Sequence, residues 1–439
     1  MCTSLCVVGV SAANSLGGSI MSRLHIARSV VLPLPVCSLA LAACSGSEQA
    51  SALPPQPVEW REEFPSFAKH TVDGEFRSGY QALAVDIDGD GAEDILALSR
   101  TPRLTWYRNP GWEPYEIVTG LDGFINVAAH DIDGDGNVDL ALASDFDLSN
   151  STGGGLIHWA KAPDDPTAED DWPVYPIDAV PTSHRLRWAD LEGDGTKELL
   201  NLPIVGVGAS APTYEGAVEL RAYPIPADPA GAWEAVVLND SSFELSHGLA
   251  VVDWDGDSSE DLLTASSVGV SLLRPSLEGA AESIVQIGTG LEAPAPDRGS
   301  SEVGLGALGD QGRFVATVEP WHGDEVVVYV EGDGEELPWP RQRIGTGLGS
   351  GHGLVVVDLN GDGFDEVVAG GRGGNDDASL YIYRYLPESL EWETIPLDVG
   401  GVAVSSLDVS DFNQDGAPDI LVMGSATRNV VWYENSGVE

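Results

Sequence analysis

Short apolar runs of five or six residues recur along the chain, separated by segments rich in glycine, aspartate and proline, and no stretch keeps a helical period of useful length. One stretch shows the pattern: "YQALAV" from Tyr80, an acidic loop, "DILAL" from Asp94, "RLTWYR" from Arg103 and "YEIVT" from Tyr115. Each run has the length of a strand and is bounded by turn residues, so the unit predicts four antiparallel strands.

The unit repeats. "DIDGDGAED" from Asp86 is followed by "DIDGDGNVD" from Asp131, "DLEGDGTKE" from Asp190, "DWDGDSSED" from Asp253, "DLNGDGFDE" from Asp358 and "DFNQDGAPD" from Asp411, with an eroded seventh copy, "LGDQGRF", around Asp310. The first aspartates are 45, 59, 63, 57, 48 and 53 residues apart, the spacing of four-stranded blades with variable loops. The predicted fold is therefore all-β: a seven-bladed β-propeller over residues 60–439. The last unit ends after three strands at "NVVWYEN", and "FAKHTV" (Phe67 to Val72) precedes the first unit as an unmatched fourth. Pairing the N- and C-terminal strands closes the ring and removes both free sheet edges.

Loop positions 1, 3, 5 and 9 carry oxygen ligands. They are Asp86, Asp88, Asp90 and Asp94; Asp131, Asp133, Asp135 and Asp139; Asp190, Glu192, Asp194 and Glu198; Asp253, Asp255, Asp257 and Asp261; Asp358, Asn360, Asp362 and Glu366; and Asp411, Asn413, Asp415 and Asp419. Hard oxygens in that number around tight glycine turns suit Ca²⁺, in a structural role. The Asp310 copy lacks the acids and is expected to bind nothing. The pattern resembles the FG-GAP or VCBS repeat of integrin-like propellers over residues 67–435.

The turn from strand one to strand two lies on one face of a propeller, and the entry to strand one lies on the other. Six residues before each first aspartate stand Tyr80, Ile125, His184, His247, Gly304, His352 and Ser405. The three histidines are expected to converge at the mouth of the central channel, where His322, in the strand two to three loop "EPWHGD", joins them. Four imidazoles at one point suit a transition metal such as Zn²⁺; general acid–base work by uncoordinated histidines, or plain hydrogen bonding, are the alternatives. Glu319, Arg185 and Arg372 are candidate catalytic residues on the same face. Trp321, Tyr80 and Arg187 are candidate substrate contacts, and the long loop "PIVGVGASAPTYEG" borders them.

Composition narrows the partners. With 70 acids against 21 bases the formal charge is −49, which repels nucleic acid and anionic membranes. All four cysteines (Cys2, Cys6, Cys37 and Cys44) lie early, so the propeller has neither disulfides nor thiolate ligands. Residues 1–43 read as an export signal with Met21 as a second possible start, and "LAAC" resembles the bacterial lipobox. That resemblance implies acylation of Cys44, a tether over residues 44–59 and contact with a membrane only through the lipid, on the outer membrane or cell surface; an ordinary signal peptide implies a periplasmic or secreted protein.

Finally, "SHRLRWADLEGDGTKELLNLPIVG", "VATVEPWHGDEVVVY" and "GHGLVVVDLNGDGFDEVVAGGRGG" resemble the propeller domain of aldos-2-ulose dehydratases, fungal enzymes that dehydrate 1,5-anhydro-fructose and related keto-sugars. The resemblance implies a metal-containing cleft at His184, His247, His322 and His352 and a carbon–oxygen lyase acting on a small sugar. Those enzymes carry further cupin-type domains, which have no counterpart in the sequence given. Two other readings stay open: a propeller polysaccharide lyase, and a non-catalytic calcium-stabilised binding or adhesion module for glycan or protein.

Overall fold

The computed structural model describes residues 60–168, 171–332, 337–373 and 378–438. The export, lipidation and tether expectations, Cys44 included, fall on residues outside that set. Twenty-eight strands form seven four-stranded antiparallel sheets, with a single 3₁₀ turn, Gly309–Gln311, as the helical element among the described residues.

Six blades use four consecutive strands each. The seventh pairs Val404–Ser410, Asp419–Gly424 and Asn429–Asn435 with Phe67–Asp73 as its outermost strand, in antiparallel register from Phe67 opposite Asn435. The expected closure is what the chain adopts. Six of the seven second strands, such as Asp94–Ser99, Asp139–Ser144 and Glu366–Gly371, are buried at every position, and the fifth blade's is buried after Arg313. These strands are sandwiched by neighbouring blades on both faces, which is why they read as unbroken apolar runs instead of alternating ones. Outer strands such as Arg341–Thr346 are largely exposed.

Polar side chains then tie blade to blade. Tyr107 on a third strand donates to Asp73 on the preceding blade's outer strand at 2.5 Å, Tyr223 to Asp178 at 2.8 Å and Tyr433 to Asp398 at 2.6 Å. Asp398 also accepts from Lys69 Nζ at 2.6 Å and the Gly401 amide at 2.9 Å, so it clasps the closing strand. Asp398→Ala leaves the Tyr433 hydroxyl without a partner and is expected to cost about 2 kcal/mol in urea unfolding; Glu391→Ala, at an exposed end of the same strand, is the control.

The acidic loops share one construction. The position-1 carboxylate gathers loop amides, as Asp86 does from Asp90 (3.1 Å) and Gly91 (2.9 Å). Gly89 and Gly91 sit at φ of +70° and +88°, where a side chain is disfavoured. The position-9 acid starts the second strand fully buried: Asp94 accepts from the Ile87 and Asn109 amides and from Trp106 Nε1. Burial pushes Asp94, Asp139, Asp261 and Asp419 up to about 6 and Glu198 to about 7. In the eroded unit the 3₁₀ turn takes the loop's place.

Candidate functional site

Four inner strands begin with a register shift that leaves one residue unpaired: Tyr80 between Gly79 and Gln81, His184 between Ser183 and Arg185, His352 between Gly351 and Gly353, and Ser405 between Val404 and Ser406. A bulge turns its extra side chain away from the ladder, here toward the axis. In the fifth blade Ser301 N bonds Val318 O and Val303 faces Thr317, so the residue in that place is Glu302.

This corrects the count that chose Gly304. In the intact units the first aspartate directly follows strand one; in the eroded unit strand one ends at Ala307, so Leu308 holds that place and Asp310 is two residues late. The axial ring is therefore Tyr80, Ile125, His184, His247, Glu302, His352 and Ser405.

His322 reaches the ring from the loop between Arg313–Glu319 and Glu325–Val330, with its own φ at +50°. The turn is tight: a Cβ on Gly323 would stand 2.2 Å from Glu319 O. The four imidazoles come together. His247 is the hub, with ring centroids 4.7 Å from His184, 4.8 Å from His322 and 4.9 Å from His352, and His247, His322 and His352 each offer a ring nitrogen within one 4.8 Å group.

Hydrogen bonds fix the ring faces. His247 Nδ1 lies 2.8 Å from Glu302 Oε1, and His352 Nδ1 lies 2.7 Å from Ser405 O, so both carry their proton on Nδ1 and present Nε2 as a lone pair. His247 Nε2 stands 3.2 Å from His322 Nε2. Burial, with the neighbouring guanidiniums adding to it, holds His247, His322 and His352 well below the usual histidine value, so these rings are neutral at pH 7. His184 is held down in the same way, by burial first and then Arg185. His247 and His352 aim Nε2 lone pairs toward His322, whose ring nitrogens meet His247 Nε2 and Arg372, and the three rings lie close enough together to fit a nitrogen-ligated divalent ion.

Tyr80 Oη is 2.8 Å from His184 Nε2 and 3.4 Å from His352 Nε2. His184 Nδ1 is buried with no protein partner. Arg372 Nη2 approaches His322 Nδ1 at 3.3 Å. Above the histidines lies a cleft of about 610 Å³, walled by Trp321, Tyr214, Phe146, Arg100 and Arg372. Trp321 stands edge-on to Tyr214 at 5.7 Å, and its Nε1 is buried without a partner.

Two expected members are elsewhere. Glu319 is fully buried inside the fifth blade, with its carboxylate taken by Ser300 (3.1 Å), Tyr329 (2.6 Å) and Arg341 (2.7 Å), so it is not the base of this cleft. Arg187, two residues down its strand from Arg185, lines the axial channel of about 800 Å³ instead. Glu302 escaped the sequence reading, and the end of strand one, taken as the reference in place of Asp310, would have found it. His70, stacked 4.4 Å from Trp432, and His130, 4.7 Å from Trp188, lie away from the cluster.

On the opposite face, Asp86, Asp88 and Asp94, Asp131, Asp133 and Asp139, and Asp253, Asp255 and Asp257 each bring carboxylate oxygens within 4.8 Å of one another. Asp88 Oδ1 and Asp133 Oδ1 are buried without partners, as oxygens aimed at a cation would be. The Asp190, Asp358 and Asp411 loops do not form such a group among the described residues. In the Asp358 loop Asn360 Nδ2 bonds Asp362 Oδ2, which also accepts from the Arg61 amide at 2.9 Å.

The family described as aldos-2-ulose dehydratase, beta-propeller domain, matches residues 154–332, which hold His184, Arg185, His247, Glu302 and His322. The FG-GAP-like repeat matches residues 86–142 and 358–422. Aldos-2-ulose dehydratase of Phanerodontia chrysosporium is 24% identical over 408 residues, covering 84% of this chain and 44% of that protein. Integrin alpha-6 of Gallus gallus is 40% identical over 91 residues, 18% of this chain and 8% of the integrin. The chain thus spans less than half the length of the curated relatives it matches. Among solved structures, BBS1N in complex with ARL6DN superposes with a TM-score of 0.51 at 12% identity, covering 85% of this chain and 96% of that one, a likeness of fold alone.

Proposed function

We propose that this propeller of FG-GAP-like repeats, similar to the propeller of aldos-2-ulose dehydratase, is a metal-dependent carbon–oxygen lyase that dehydrates a keto-sugar such as 1,5-anhydro-fructose. The observation that carries the reading is the histidine hub, where ring nitrogens of His247, His322 and His352 gather at one point beneath a cleft of sugar size, with the tautomers of His247 and His352 fixed by their Nδ1 partners. His247, His322 and His352 would hold a divalent ion such as Zn²⁺, which when bound supplies Lewis-acid polarisation of a carbonyl.

The remaining chemistry belongs to the side chains. Trp321 and Tyr214 offer an aromatic wall for a pyranose face, and the Trp321 indole N–H a donor for a hydroxyl. Tyr80 and His184 form the proton couple. Neutral His184 draws the phenol proton onto Nε2 as the Tyr80 oxygen takes the proton from the carbon beside the carbonyl. The couple then returns that proton to the β-hydroxyl, which leaves as water with the C–O pair while a C=C bond forms. Arg372, which burial holds below its ordinary value while leaving it cationic, faces the oxygen on which charge develops.

The test is incubation with 1,5-anhydro-fructose while following the near-ultraviolet absorbance of an enone. Zinc-replete protein is expected to generate it, chelator to stop it, and Tyr80→Phe to lower kcat on the order of 10²-fold with little change in KM. Absence of product with metal-replete wild-type protein sinks the reading.

A further inference from the structure

Glu302 has no role in the reading above, yet it sits at the centre of the polar floor. Its Oε1 is 2.8 Å from His247 Nδ1 and 2.6 Å from Arg185 Nη2. Arg185 Nη2 itself lies 3.4 Å from His247 Nδ1, and Ser301 Oγ 3.3 Å. A guanidinium has no lone pair to offer, so an arginine on Nδ1 alone would force the imidazole proton to Nε2 and close the face that meets His322 and His352. The carboxylate at the shorter distance reverses that choice. It also neutralises Arg185, which is 7% exposed and otherwise a lone buried cation beside four imidazoles.

We propose that Glu302 is the positioning residue of the site: by accepting from His247 Nδ1–H while holding Arg185, it fixes the hub histidine in the one tautomer that presents Nε2 to the cleft. It acts through His247 and does not touch substrate. The fifth blade, whose loop is replaced by a 3₁₀ turn on one face, thus supplies two parts of the other face, Glu302 from its inner strand and His322 from its second loop. The inference rests on the metal reading for its consequence but not for its first measurement.

That measurement is the ring-nitrogen spectrum of the full chain labelled with ¹⁵N-histidine, His247 being assigned by loss of its signals in His247→Ala. Wild type should show Nδ1–H for His247, and Glu302→Gln a shift toward Nε2–H. Zinc titration against a competing chelator should show an affinity about 10 to 100-fold lower in Glu302→Gln, the range expected for losing an outer carboxylate partner. Arg185→Gln keeps the carboxylate and should retain the Nδ1–H tautomer, as should Glu302→Asp if Glu302→Gln fails to fold. An unchanged His247 tautomer in folded Glu302→Gln overturns the proposal, as does a tautomer change in Arg185→Gln equal to that in Glu302→Gln. Wild-type protein that binds no zinc but shows the Glu302-dependent tautomer overturns the metal reading alone.

Discussion

Chelation of calcium at pH 8 is expected to lower the unfolding temperature on the order of 10 °C, with the difference shrinking toward zero near pH 5. Three loops bring carboxylates to one point, and each filled site adds about 2.7 kcal/mol when free calcium is 100-fold above its dissociation constant. The pH dependence follows from the buried acids. Asp94, Asp139 and Asp261 are held up to about 6, above their value in an unfolded chain, chiefly by burial. A raised carboxyl gives stability that is full below about pH 4 and is lost as pH rises through 6. The metal-free protein is therefore expected to weaken between pH 4 and 7, the range in which calcium, by binding the ionised form, would restore it. Scanning calorimetry with and without chelator across that range checks both signs; a chelator effect as large at pH 5 as at pH 8 would contradict the assignment.

His247→Ala is expected to be the most damaging single change in the cleft. His247 is wholly buried, touches all three other rings and carries the Glu302 bond. Removing it would delete one of the three proposed ligands and leave His322 and His352 too few to hold an ion against a chelator, so zinc affinity should fall at least on the order of 10²-fold and turnover with it. Unfolding should shift by only about 2 to 4 kcal/mol, the loss expected from a buried cavity. His130→Ala, at a ring packed on Trp188 outside the cluster, is the matched control and should leave zinc binding unchanged.

The blades, their closure and the meeting of His184, His247, His322 and His352 were legible because the acidic loop marks the same point in each intact unit, six residues after the one that faces the axis. The marker failed where the loop had decayed: Asp310 stands two residues beyond the place that an intact unit's first aspartate takes, directly after strand one, and Glu302 was lost to the offset. Glu319 looked like a base because it neighbours His322 in sequence. A strand's alternation sends adjacent side chains to opposite sides, and its side chain turned inward to Tyr329 and Arg341. Arg187 shares Arg185's face but sits one strand repeat deeper, a depth that no motif records.

The ring's seam has a consequence for biosynthesis. Among the described strands Phe67–Asp73 is the first to be made and its partner Asn429–Asn435 the last. Six blades can be assembled in order on the emerging chain while the earliest strand waits with an unpaired edge for a contact some 360 residues away, the kind of late non-local pairing that slows folding and exposes a nascent protein to association.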